Sequence, residues 1–258
     1  MSKFTESSYR KILKAAKNQY IFNGSQTIGK KNAIWRHDVD VSPIRALKMA
    51  QMEKEYDLKC VYHILLSSIH YNILEPETSK IFSQISSMGH EMGIHFDFDS
   101  NINKLDVLEK IKFEKKILQT MLNIKVESIS FHNFTLNKKN IILSKRILGL
   151  RNLASNYIIK NFEYISDSNG FWNDNSLMDF LEINYKNIHV LTHPVWWSKE
   201  NLLPIQKYEQ VLKDKLSDNL ISYLKIMQTD GRLTKIAKKI GISKNLLKKY
   251  KINIKNYD

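Results

Sequence analysis

Five strand-like runs in this chain end on ionisable side chains, and that recurrence limits the fold more than any single motif does. Ala33-Ile34-Trp35-Arg36 leads into His37-Asp38-Val39-Asp40, and the run from Glu91 ends on His95. Ser128-Ile129-Ser130-Phe131 leads into His132, Tyr164 to Ser166 into Asp167, and Ile188 to Thr192 into His193. Helix-like stretches lie between and around them, near residues 7–20, 43–56, 75–88, 104–122 and 138–148, and everything past Pro204 reads as helical. Further strands are expected over 59–65 and near 153–155. Repeated strand–helix units predict a mostly parallel sheet or a barrel. In such folds the C-terminal strand ends converge on one face, where sites form.

The residue types at those ends suit hydrolysis. Asp38 and Asp40 place two charges side by side, tolerable where a cation or a reaction uses them. A competing reading makes Asp40 or Ser42 the cap of the helix that starts near Pro43. Asp40 and His95 offer oxygen and imidazole ligands for zinc or a similar divalent metal. Asp38, two residues from Asp40 on the same edge, is placed to act as a base toward water, and His193 to protonate a leaving group. A lone histidine is most often structural, and His90 is read that way. Tyr62 and His63 sit mid-strand, one facing inward and one toward the helices, with no assigned role.

These residues resemble the polysaccharide deacetylase superfamily, the NodB-like carbohydrate esterases of family 4, from about Ile34 to Trp197. Ile34-Trp35-Arg36-His37-Asp38-Val39-Asp40 is similar to the family's first motif, and Gly89-His90-Glu91-Met92-Gly93-Ile94-His95 to the approach to its metal-binding histidine. Ser166-Asp167-Ser168-Asn169-Gly170-Phe171-Trp172 resembles the fourth motif and Leu191-Thr192-His193-Pro194 the last. The resemblance implies a distorted (β/α) barrel with extra C-terminal helices. It also implies a divalent metal, zinc, on Asp40 and His95, with Asp38 as base and His193 as acid. Two departures stand out. The family's second histidine, four residues after the first, is Asp99 here, so the third ligand is Asp99 or His132, with Asp97 a weaker choice. His132-Asn133-Phe134 stands where the family supplies arginine and proline, leaving no arginine to pair with Asp167. Asp97, Asn133, Asp167, Trp172 and Trp196 are expected to contact substrate; the aromatic pair Trp196 and Trp197 suits sugar stacking or core packing equally.

The implied reaction is removal of an N-acyl group, acetyl in the first instance, from an amino sugar in surface polysaccharide or glycan biosynthesis. Hydrolysis of another non-peptide C–N bond is the alternative within the same chemistry. A single cysteine, Cys60, excludes an internal disulfide, no apolar run reaches membrane-spanning length, and a signal-peptide core is missing; these point to the cytoplasm. Residues 1–230 are expected to form the barrel and 231–258 a basic helical segment. That segment holds nine of the 40 lysines and arginines but one of the 26 acidic residues. Leu233 to Tyr250 has a helix-turn-helix outline around Gly241, so a lapsed barrel with a nucleic-acid-binding tail is the binding-class alternative. A Lys-rich composition throughout is the favoured explanation of the charge, and nucleic acid is disfavoured as a partner.

Overall fold

The computed structural model describes residues 3–22, 31–98, 104–133, 142–172, 176–229, 232–233, 239 and 241–251. Its core is one nine-stranded sheet with helices packed on the outside. The strands are β1 (Ile21–Phe22), β2 (Asn32–Val39), β3 (Val61–Ile64), β4 (Glu91–Phe96), β5 (Val126–Phe131), β6 (Arg146–Ile147), β7 (Leu150–Asn152), β8 (Glu163–Ser166) and β9 (Asn187–Thr192). They lie in the order β6-β7-β5-β4-β3-β2-β9-β8, with β1 beside the start of β2. Every pairing is parallel except the β6–β7 hairpin.

Helix α1 (Glu6–Lys17) precedes the first strand, and α2 (Pro43–Glu55), α3 (Pro76–Ser87), α4 (Lys104–Leu122), α5 (Asn156–Asn161) and α6 (Leu177–Glu182) lie between strands. Local chemistry explains their ends. Thr5 caps α1 by accepting from the Ser8 N–H, and Tyr9, Ile12, Leu13 and Ala16 form its buried stripe. Ser42 caps α2 by accepting from Arg45, with Pro43 following it. The capping alternative is thus met by Ser42, and Asp40 is left for other work. Ser176 and Asp179 form a capping box on α6.

The eight residues of β2 are all buried, and its two faces serve different layers. Ala33, Trp35 and Val39 join the large outer core with the helices. Ile34 packs in a separate inner cluster with Val61, Leu153, Ile158 and Phe162. Leu153 follows β7, four strands from β2, a distance of about 19 Å in a flat sheet. Their shared cluster therefore requires the sheet to curl into a barrel. No ladder joins β8 to β6 or β7 among the described residues, which makes the barrel distorted and open at that seam.

Several expectations shift. β2 runs on to Val39, so Asp38 lies inside the strand rather than beyond it. The strand placed near 153–155 is β7, three residues earlier, and Leu153 to Ser155 form the turn into α5. The helix expected over 138–148 is not found: residues 138–141 lie outside the described residues, and 142–148 are not helical, with Arg146–Ile147 in a strand, because Leu148 and Gly149 turn the chain with positive φ into a hairpin.

By its contacts the chain divides into Met1–Lys207 and Tyr208–Asp258. That boundary falls within helix α7 (Pro204–Thr229), whereas the charge boundary read from sequence lies at 230/231. The second unit has its own small core of Leu224, Met227, Leu233, Ile242 and Leu247, and its last described helix is α8 (Lys244–Lys249). Residues 234–238 and 240, which carry most of the first half of the helix-turn-helix outline, lie outside the described residues.

Candidate metal centre and acid–base pair

Period-two alternation sends Arg36, Asp38 and Asp40 from β2 and its end to the barrel interior. His63 on β3, His95 on β4, Ser128 and Ser130 on β5, and His132 just past it face the same space. The curl of the sheet brings these groups together at the C-terminal strand ends.

Three ligand atoms converge there. His95 Nε2 is 3.5 Å from Asp40 Oδ1, His132 Nδ1 is 3.2 Å from His95 Nε2, and His132 Nδ1 is 3.9 Å from Asp40 Oδ1. Ligand atoms around a tetrahedral zinc stand about 3.4 Å apart. The spacing therefore fits a divalent ion. Asp40 Oδ1 is buried without a hydrogen-bond partner among the described residues, the state of a carboxylate oxygen aimed at a cation. Burial pushes the His95 pKa down, toward the neutral imidazole that ligation requires.

Two other acid–histidine clusters fit less well. Asp38, His63 and His95 lie close together, but both His63 ring nitrogens are taken by Ser128 and Ser130, and Asp38 is taken by Arg36. His37, Glu53 and Cys60 cluster on the outer side of the sheet, where Glu53 already accepts from Tyr9 and Tyr62. These are hydrogen-bonded structural knots. His90 belongs to the second: it accepts from the Cys60 N–H and bonds the Ala50 carbonyl, the structural role read from sequence.

Asp38 is held by Arg36, whose Nη2 donates to Oδ2 at 3.1 Å while Nε lies 3.1 Å from Oδ1. Burial pushes the carboxyl up, but the charge of Arg36, followed by His95, His63 and His193, outweighs it and holds Asp38 below the usual carboxylate range. Opposite stands His193, with Nε2 3.9 Å from Asp40 Oδ2. Its Nδ1 lies 2.7 Å from Asp167 Oδ1, which also accepts the His193 backbone N–H at 2.8 Å. Trp197 Nε1 donates to the other Asp167 oxygen at 2.8 Å. Burial alone would lower the His193 pKa, yet the Asp167 hydrogen bond and charge push it up to about 9. His193 is therefore an imidazolium at neutral pH.

The structure thus brings together Asp38, Asp40, His95, His132, Asp167 and His193. It does not bring all the expected residues. Asp99 lies outside the described residues. Burial pushes the Glu114 carboxyl on α4 up to about 7, with the nearby Asp97 charge adding to it, and Asp97 joins none of the ligand clusters among the described residues. Asn133 sits at φ 49° in the turn after β5. Asp167, expected to contact substrate, is fully buried and hydrogen-bonded to His193. Trp172 is buried against Phe4 and Trp197. With Trp196 it lines a separate cavity of about 730 Å³ near Phe4, Pro204 and Lys207. Sequence reasoning missed Arg36 and Ser130. The signal for Arg36 was its two-residue spacing from Asp38; nothing in the sequence singles out Ser130.

No family model matches the chain, and no curated protein matches it. Among solved structures it is similar to a family 4 carbohydrate esterase pseudoenzyme from Bacillus anthracis, at 12% identity and a TM-score of 0.42, covering 76% of this chain and 64% of that one. It is also similar to a peptidoglycan deacetylase from Bacillus subtilis, at 12% identity and a TM-score of 0.43, covering 76% and 98%. A third is the catalytic domain of a peptidoglycan N-acetylglucosamine deacetylase from Eubacterium rectale, at 11% identity and a TM-score of 0.44, covering 76% and 89%. The chain spans less than two thirds of the length of the pseudoenzyme. All three likenesses are distant.

Proposed function

We propose that the chain is a divergent, metal-dependent member of the polysaccharide deacetylase superfamily that removes an N-acetyl group from an amino sugar. One observation carries this reading: Asp40 Oδ1, His95 Nε2 and His132 Nδ1 meet at ligand spacing, with an imidazolium His193 on the far side of Asp40. Those three residues would hold the metal, which supplies polarisation of the amide carbonyl and a lowered pKa for water. His132 takes the place that Asp99 or a second strand-end histidine would otherwise fill.

The remaining steps belong to the protein's own groups. Asp38 is ionised at neutral pH and accepts a proton from the attacking water. Its ion pair with Arg36 keeps it in that acceptor state but weakens it as a base, since a base works best with a pKa near the working pH. His193 Nε2 gives its proton to the departing nitrogen, and Asp167 holds the ring by Nδ1 so that Nε2 faces the site. The amino-sugar substrate rests on the motif resemblance. The test is acetate release from a panel of N-acetylated amino sugars by zinc-loaded protein. Release that disappears with His193→Gln is the expected result; a metal-loaded protein that frees no acetate from any of them contradicts the assignment.

A further inference from the structure

Four side chains beneath the metal centre form an unbroken hydrogen-bonded chain. Ser128 Oγ lies 2.9 Å from His63 Nε2, His63 Nδ1 lies 2.5 Å from Ser130 Oγ, and Ser130 Oγ lies 2.8 Å from His95 Nδ1. His63, Ser128, Ser130 and His95 are all buried. Burying four hydroxyl and imidazole groups inside a barrel is costly unless each is hydrogen-bonded, and here each is. The backbone is also cleared for this arrangement. A Cβ at Gly93 would fall 2.3 Å from His63 Cδ2 and 2.5 Å from its Nε2, so the ring occupies the space that any other residue on β4 would need.

We propose that Ser130, backed by His63 and Ser128, is the positioning device that fixes the His95 tautomer and aims its Nε2 lone pair at the metal. This inference rests on the Asp40–His95–His132 reading. The proton assignments follow in one direction only. Ligation through Nε2 requires the proton on His95 Nδ1, which then donates to Ser130 Oγ. The Ser130 hydroxyl has one proton to give. Its two acceptors are His63 Nδ1 at 2.5 Å and Asp38 Oδ1 at 3.5 Å, and the nearer takes it. His63 must then carry its own proton on Nε2, which donates to Ser128. Burial holds His63 well below the usual histidine pKa, so it stays neutral and can accept at one nitrogen while donating at the other. The chain thus passes polarisation from Ser128 to the metal ligand, with one donor and one acceptor at each link from His95 to Ser128.

Zinc affinity measured by chelator competition on the full chain tests this. Wild type is expected to bind one zinc, Ser130→Ala to bind it about 10–100-fold more weakly, and His63→Phe to show a smaller loss. Nitrogen-15 histidine spectra of the metal-free wild type supply a readout that needs no variant: His95 is expected as the Nδ1–H tautomer and His63 as Nε2–H. Folded Ser130→Ala with wild-type zinc affinity, or His95 found as Nε2–H, overturns the proposal while leaving the metal centre standing. A wild type that binds no zinc overturns both.

Discussion

His193 keeps its proton because Asp167 accepts from it, and Asp167 is in turn pinned by the Trp197 indole and the His193 backbone N–H. Asp167→Asn removes the charge that holds the imidazolium and leaves the ring free to take the wrong tautomer. Deacetylation is expected to fall by about 10²-fold or more, close to the loss in His193→Gln, with zinc content unchanged. A variant with wild-type turnover would show that the pair is structural. The individual site residues were partly legible in the sequence, because a charge at the end of an apolar run has few inexpensive explanations. Asp38, Asp40, His95, His132 and His193 stood out for that reason. Arg36 and Ser130 did not, since an arginine or serine inside a strand is ordinary until the curl of the sheet shows what it faces. Asp167 was seen as a substrate contact, whereas its burial against His193 favours a supporting role, and burial is a tertiary property that sequence does not show.

At the level of elements, β2 works on both faces. Inward it carries Arg36, Asp38 and Asp40; outward His37 bonds Thr192 on β9 and lies 2.7 Å from Glu53 on α2. Glu53 also accepts from Tyr9 on α1 and Tyr62 on β3, so one buried carboxylate ties two helices to the sheet. Burial pushes Glu53 up, but His37 above all draws it down to about 2. Its folded pKa lies below the unfolded value of 4.5, so this contribution is complete above about pH 5 and drains away as pH falls toward 2, by roughly 3 kcal/mol at most. Thermal melts from pH 7 to pH 2 are expected to show Glu53→Gln with a lower Tm at neutral pH and a shallower acid decline; parallel profiles would rule this out. Gly93→Ala probes the inner face. The added methyl meets the His63 ring and the Ser128 carbonyl at 2.7 Å or less, and urea unfolding should show a loss of about 1–3 kcal/mol. The longer helices α1 to α4 were well read because caps and apolar stripes are local, whereas the six-residue helices α5 and α6, too short to show a stripe, were not foreseen. The β6–β7 hairpin was not, because its turn at Leu148-Gly149 continues a Lys- and Leu-rich stretch that looks helical.

Across the whole molecule, the order of strands along the sheet converts separate strand ends into one site. β2, β3, β4 and β5 are consecutive neighbours, and β9 lies on the other side of β2, so His193 and Asp167 face His95 and His132 across Asp40. The alternating strand–helix pattern announced this class of fold, and the recurrence of ionisable ends announced the face. The third ligand was left open, since Asp99 and His132 are equally plausible from spacing alone; only the register of β4 with β5, which pairs His95 with Ser130 and brings the next residue but one beside it, favours His132. No described helix is long and apolar enough to cross a membrane. The central claim is the ligand set, and elemental analysis of purified protein dialysed against excess zinc tests it most directly. Wild type should retain one zinc per chain, His132→Ala should lose it, and His63→Ala should keep it at the same saturating zinc. Full zinc retention in His132→Ala together with loss in His63→Ala would place the metal on Asp38, His63 and His95 and contradict the account.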